Sequence, residues 1–250
     1  MKKEKIKALV SIILIAVGII AIVAYVFPRA ADAAVINSLK KFTTVNEESD
    51  TIVRENDGFS VDWEGLLKEC PDVVGWIRVE GTDISYPVVK TGDDKEEDYY
   101  LRRDYTGNYS TSGTIYMQKT ANGNFTDFCT VLYGHNMRAG TMFAQLHDFE
   151  DEEFFNNHKY IYIYTPYSPR KTYAIYSAHV HSNLMLSGEY NDWATDYDKD
   201  VFLNYTKTAE GNHRDLNLSN DCRILTLSTC TDNASQRFLI HAALTKKMRE

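Results

Sequence analysis

Hydrophobic and polar positions divide the chain into three stretches. Ala8 to Phe27 is an unbroken apolar run, residues 28–61 are polar and mixed in charge with weak helical periodicity, and from residue 62 onward short apolar runs alternate with turn-forming residues. The last pattern predicts strands. Asp62 stands where a cap belongs for a short helix, Trp63 to Glu69, which Pro71 stops. Eight strands follow: Val74–Val79, Ile84–Val89 (whose Pro87 suits an edge or a strand start), Gly113–Gln118, Cys129–Tyr133, Tyr160–Tyr164, Lys171–His181, Arg223–Thr229 and Arg237–Leu244. Between them, Tyr99–Tyr105 reads as a short helix. Thr141–Asp151 is helical by the spacing of Met142, Leu146 and Phe149, and Trp193–Lys207 by an apolar or aromatic residue at 193, 197, 201 and 205. Many short strands with a few inserted helices predict a mainly β fold closed into a barrel, and the 17 tyrosines suit half-buried strand faces.

The apolar run changes the picture from a soluble domain to an anchored one. Twenty residues without a formal charge span roughly 30 Å as a helix, the thickness of a bilayer core. Lys2, Lys3, Lys5 and Lys7 precede the run and no matching cluster follows it, so the N-terminus is expected in the cytoplasm and the remainder outside. A cleaved signal peptide is the rival reading, with small residues at 30–34 for a protease, but the run is longer than a signal core. The division predicted is a basic tail at 1–7, a transmembrane helix at 8–27, an extracellular stalk at 28–61 and a catalytic domain at 62–250. Net charge is −8 overall with +3 in the first seven residues, leaving −11 for the rest. Such a domain is no partner for nucleic acid.

Four cysteines, at 70, 129, 222 and 230, form no CxxC pair. A Cys129–Cys222 bridge and separate buried thiols both stay open. Cys230 differs, because the apolar strand Ile224–Thr229 runs straight into it and a polar loop follows. A thiol at a strand end is held by a rigid element yet open to solvent, as a nucleophile must be. A thiolate needs a nearby cation or base. Arg237 opens the next apolar run, and a short loop between adjacent strands would return it beside Cys230. Its guanidinium could stabilise a thiolate or an oxyanion. His135 ends the fourth strand, where Gly134 is expected to relax the backbone, and can reach Cys230 only if the two strands are neighbours. A buried strand-end cysteine, an ordinary polar histidine and a surface arginine are the bland alternatives. A phosphatase-type phosphate loop is disfavoured by the longer Cys–Arg spacing and the absence of glycine between. Zinc at His179 and His181 lacks a third ligand at short spacing.

Together the apolar anchor, Tyr133-Gly134-His135-Asn136-Met137, Thr226-Leu227-Ser228-Thr229-Cys230 and Arg237 resemble the sortases. Gly75-Trp76-Ile77, Ile84 to Val89, Thr141-Met142-Phe143 and the helical insert between the sixth and seventh strands are similar to class B members. The resemblance implies an eight-stranded barrel with N-terminal helices. It implies a transpeptidase that cleaves an NPQTN- or LPxTG-like signal near the C-terminus of secreted proteins. Cys230 would form the thioacyl enzyme, His135 would move the proton and Arg237 would bind the oxyanion or substrate backbone. The acceptor would be an amine of a lipid-linked peptidoglycan precursor, or a pilin lysine in some members. Ser228 and Asn136 are supporting candidates, and Asp232 either orients the histidine or caps its loop. Neither cofactor nor metal is implied. A secreted cysteine hydrolase using water, and a non-catalytic binding module, are the competing readings.

Overall fold

The computed structural model describes residues 2–45 and 58–245, in two compact units, residues 1–41 and 42–250. In the first, α1 runs from Lys2 to Ser38, about 55 Å at 1.5 Å per residue. Apolar side chains such as Ile12, Leu14, Ile19, Ile22 and Phe27 are exposed on it. By length and composition it is a helix able to cross a membrane. It continues past Phe27, so the expected stalk begins as helix; residues 46–57 of that stalk lie outside the described residues.

The second unit opens with β1 (Thr43–Val45) paired antiparallel to β2 (Phe59–Val61). Three-residue strands leave no alternation to read, which is why the sequence pattern missed them. Phe59 is buried, its ring 4.8 Å from that of Tyr164 and 6.2 Å from that of Trp76. Residues expected to form a stalk thus contribute an aromatic anchor to the folded unit. α2 spans Trp63–Glu69, with the Asp62 side chain accepting from the Gly65 amide at 3.0 Å.

The remaining strands are β3 (Val73–Val79), β4 (Ser85–Val89), β5 (Ile115–Met117), β6 (Cys129–Tyr133), β7 (Tyr160–Thr165), β8 (Ser168–Ser182), β9 (Gly211–His213), β10 (Ile224–Cys230) and β11 (Gln236–Leu244). Their order is β11-β10-β6-β5-β4-β3-β7-β8, and β8 pairs back onto β11, closing an eight-stranded barrel; β9 adds to β8. Closure satisfies both edges of the sheet. Only β4–β5 and β6–β10 are parallel.

Three further helices, α3 (Glu152–Asn157), α4 (Leu186–Glu189) and α5 (Asp196–Thr208), decorate the barrel. α4 and α5 form the insert between β8 and β10. The second starts three residues later than the spacing predicted, capped by a reciprocal Thr195–Asp198 box. Its inward face is also different: Phe202, Leu203 and Thr206 are buried while Tyr197 is 75% exposed. The chain turns at Asp192 and Trp193, both at positive φ, so Trp193 is off the helix and sets no phase for it. Thr141–Asp151 likewise resolves into a 3-10 helix, Ala144–Glu150, before α3, and Tyr99–Tyr105 into a 3-10 turn, Tyr99–Arg102.

α5 packs on the barrel beside β8, with Thr206 bonded to Tyr176, and β10 is buried on both faces from Ile224 to Thr229. Phe202 and Leu203 join Cys129, Val131, Ile224 and Leu239 in one cluster. The four cysteines are free thiols. Cys129 lies 3.4 Å from the Thr226 hydroxyl, and burial pushes its thiol up to about 12.

Two histidines are sealed under the same helix. His179 Nδ1 bonds the Ser177 hydroxyl at 3.0 Å and His241 Nδ1 that of Thr226 at 2.8 Å, and the rings stack 5.0 Å apart. Burial drives His179 down to about 4 and His241 well below its usual value; His181 and His213 add to both, and His179 adds to the lowering of His241. Both are therefore neutral in the fold. Below about pH 6.5 the unfolded chain takes up protons that the folded one refuses, so stability is complete above that pH and is lost as pH falls towards 4. His179 alone is expected to cost about 2 kcal/mol at pH 5. Denaturant midpoints at pH 7 and pH 5 should differ, and the difference should shrink in a His179→Asn/His241→Gln variant; equal midpoints in wild type would contradict this account.

Candidate active site

Cys230 is the last residue of β10 and pairs directly with Arg237 on β11. The bond from the Leu244 amide to the Arg223 carbonyl sets the alternation along this ladder, making Cys230–Arg237 a non-hydrogen-bonded pair, in which facing side chains approach most closely. β6 is the parallel neighbour on the other side, with Tyr133 opposite Ser228. The strand adjacency that the sequence could not supply is therefore present, and His135 lies two residues beyond the end of β6.

The ends of β6 and β10 are fastened together. Gly134 N donates to Ser228 O at 3.1 Å, and the Thr229 hydroxyl donates to Gly134 O at 2.9 Å. Gly134 was expected to loosen the backbone, yet its φ is not positive. Its role is space: a Cβ there would stand 2.5 Å from Ile115 Cδ1 and 2.7 Å from the Phe143 ring. The loop after it closes on itself, with Phe143 N donating to His135 O at 2.9 Å.

His135 Nε2 lies 2.8 Å from the Leu101 carbonyl. A carbonyl only accepts, so Nε2 carries the proton and Nδ1 is left for proton exchange. Burial lowers the His135 pKa, the Leu101 bond raises it and nearby Arg102 lowers it; the net direction is down. The Leu101 carbonyl is itself held in place. Tyr100 donates to Asp72 at 2.7 Å, and Thr114 N to Tyr100 O at 3.0 Å. Gly113, at φ 61°, lets that chain pass: a Cβ would come within 2.5 Å of Leu101 O.

Cys230, His135, Arg237 and Ser228 line one cleft of about 390 Å³. One wall is apolar, from Leu184, Met185 and Leu186 of the insert; another carries Glu96, Glu97 and Asp98. Tyr116 and Tyr133 stack at 5.3 Å on its floor, and burial raises both phenols so that they stay neutral. Arg237 NH1 donates to Gln236 O at 2.9 Å and to Ala234 O at 3.3 Å, leaving three N–H donors on Nε and NH2. Asn136 donates to the Cys230 carbonyl at 3.1 Å.

Asp232 is not brought to this cleft. It borders a separate hollow with Asn136, His147 and Glu150, and the ring bond of His135 goes to Leu101 instead. His181, though buried, lines the cleft with its ring between Tyr205 OH (2.6 Å) and Glu189 (2.9 Å), whereas His179 does not reach it. Among the described residues no group of three or more metal-binding side chains converges. The sequence pattern passed over His147, whose Nε2 lies 3.0 Å from the Cys230 carbonyl; its only local signal was the i,i+3 spacing to Glu150.

A cleft at a barrel end with a half-exposed thiol facing an arginine and flanked by a histidine defines the class, a cysteine enzyme of acyl transfer. Comparison with known proteins narrows it. The family model described as Sortase domain matches residues 77–245, and the chain belongs to the sortases. Sortase B of Staphylococcus aureus (strain NCTC 8325 / PS 47) is 32% identical over 178 residues, covering 70% of this chain and 69% of that protein. The crystal structure of Clostridium perfringens sortase B is 33% identical with a TM-score of 0.63, covering 72% of this chain and 97% of that one. A Staphylococcus aureus sortase B–substrate complex and a sortase B complexed with triglycine are each 30% identical with a TM-score of 0.64, covering 73% of this chain and 84% of theirs. These relatives are class B sortases, and the chain is a sortase-type cysteine transpeptidase.

Proposed function

We propose that this transpeptidase cleaves an NPQTN- or LPxTG-like signal near the C-terminus of secreted proteins and transfers them to an amine of a lipid-linked peptidoglycan precursor. The observation that carries the reading is the pairing of Cys230 with Arg237 across β10–β11, with His135 beyond the neighbouring strand, over one cleft. The Cys230 thiolate attacks the carbonyl carbon after the motif's threonine. The oxyanion is met by the Nε and NH2 donors of Arg237. The C–N bond breaks as His135 Nδ1 protonates the departing amine, leaving a thioester on Cys230. The acceptor amine then attacks, His135 takes its proton, and the thiolate leaves. Ser228 lines the path of the motif.

The acidic wall at residues 96–98 suits an ammonium acceptor better than water, and a related sortase B complexed with triglycine supports an amine in that role. A pilin lysine carries the same charge, so pilus assembly is the alternative outcome. α1 supports attachment through residues 8–27, with residues 1–7 cytoplasmic and the catalytic domain outside, next to exported substrates and lipid-linked acceptors.

The test incubates the full chain in detergent with fluorogenic peptides carrying NPQTN, LPxTG or a scrambled motif, with triglycine, a diamino acid or no amine added, and reads products by mass. Motif-dependent cleavage with an amine-ligated product is expected. Cleavage to the free acid alone, whatever amine is added, would make the enzyme a hydrolase.

A further inference from the structure

The Cys230 carbonyl has lost its place in the sheet. Along β10 the carbonyls of even-numbered residues point towards β6, as the Gly134 N to Ser228 O bond records. A continued parallel ladder would next join Asn136 N to Cys230 O. The chain has turned away there, since Asn136 bridges to Met142 instead. A backbone acceptor left over in this way needs a donor. Two side chains reach it, Asn136 Nδ2 at 3.1 Å and His147 Nε2 at 3.0 Å.

His147 is itself tightly held. Its ring stacks on Phe238 at 5.0 Å and 23°, and its Nδ1 lies 2.5 Å from Glu150 Oε1. One ring nitrogen therefore faces a carboxylate and the other a carbonyl, and both of those atoms only accept. Only the imidazolium donates at both ends. When the ring is neutral, with its proton kept at Glu150, the Nε2 lone pair faces the carbonyl oxygen. Asn136 Nδ2, 3.1 Å from Nε2, then divides its hydrogens between ring and carbonyl.

We propose that His147, oriented by Glu150 and the Phe238 ring, is a positioning residue that fixes the Cys230–Thr231 peptide plane, and through it the direction of the thiol, for acylation. This rests on Cys230 being the nucleophile. The peptide unit following a nucleophile sets that residue's backbone and hence its side-chain direction, and a misplacement of about 1 Å at a reacting atom costs on the order of 100-fold. The charged groups around the ring are Glu150 on its own element and Asp232 across the hollow, and the rest of the wall, Thr231 included, is uncharged.

The experiment uses the full chain in detergent and compares wild type, His147→Ala, His147→Gln, Glu150→Gln and Cys230→Ala. It reads single-turnover acylation and KM, with melting temperatures alongside. His147→Ala is expected to lower the acylation rate about 10- to 100-fold with KM little changed. His147→Gln retains a donor to Cys230 O and should recover most of the rate. Glu150→Gln, which keeps a hydrogen-bonding partner for the ring, should lower acylation less than His147→Ala does. Wild-type acylation by folded His147→Ala, or no recovery of rate in folded His147→Gln, would overturn the proposal. Acylation by Cys230→Ala would instead overturn the nucleophile assignment beneath it.

Discussion

Cys230→Ala is expected to abolish cleavage, transfer and thiol labelling together, with a fall in turnover on the order of 10⁵ or more and little change in melting temperature. The other three cysteines cannot stand in. Cys70, Cys129 and Cys222 are at most 2% exposed, and burial raises the thiols of Cys70 and Cys129. Cys230 is half-buried at the end of its strand. Iodoacetamide under native conditions should therefore add one carbamidomethyl group to wild type and none to the variant. Incubation with motif peptide should add the acyl half of the peptide to wild type alone. Stability should be spared because the side chain ends in an open cleft and its loss leaves no closed cavity. Cleavage that persists in Cys230→Ala would place the nucleophile elsewhere.

The second large effect is expected at His135. Its Nε2 proton is committed to Leu101 O, so under the proposed mechanism the proton for the departing amine is expected from Nδ1. Because burial holds its pKa down, the charged ring gives up that proton readily, and the charged fraction is lost as pH rises past the lowered value. His135→Ala should reduce amide cleavage by about 10²–10⁴. The loss should be much smaller for a motif ester whose leaving group departs as an anion without a proton. Rates for amide and ester substrates of the same motif, in both enzymes, decide this. An equal loss on both substrates would mean that His135 acts on the thiol and not on the leaving group.

Much of this protein was legible in one dimension because it depends on local periodicity. The eight barrel strands fall where alternating or continuous apolar runs predicted them, and α2 has its predicted bounds and its Asp62 cap. The strand Ile224–Thr229 marked Cys230 as a residue on a rigid end, and the short loop to the next strand brought Arg237 opposite it. Turn length and strand direction are local matters, and a hairpin's register follows from them.

What the tertiary structure alone decided is non-local. That β6 lies parallel to β10, with their ends bound through Gly134, Ser228 and Thr229, follows from barrel closure and not from any neighbouring residues. The phase of α5 was misread because Phe202 and Leu203 answer to the sheet beneath them and not to the stripe at 193, 197, 201 and 205. Gly134 was read as a flexible link when its purpose is to make room for Ile115 and Phe143. His147, 83 residues before Cys230, meets its carbonyl only because the β6 ladder ends one bond too soon. Sequence patterns record which face of an element is apolar. Which backbone group is left without a partner, and which distant side chain supplies one, is settled only when the elements are packed.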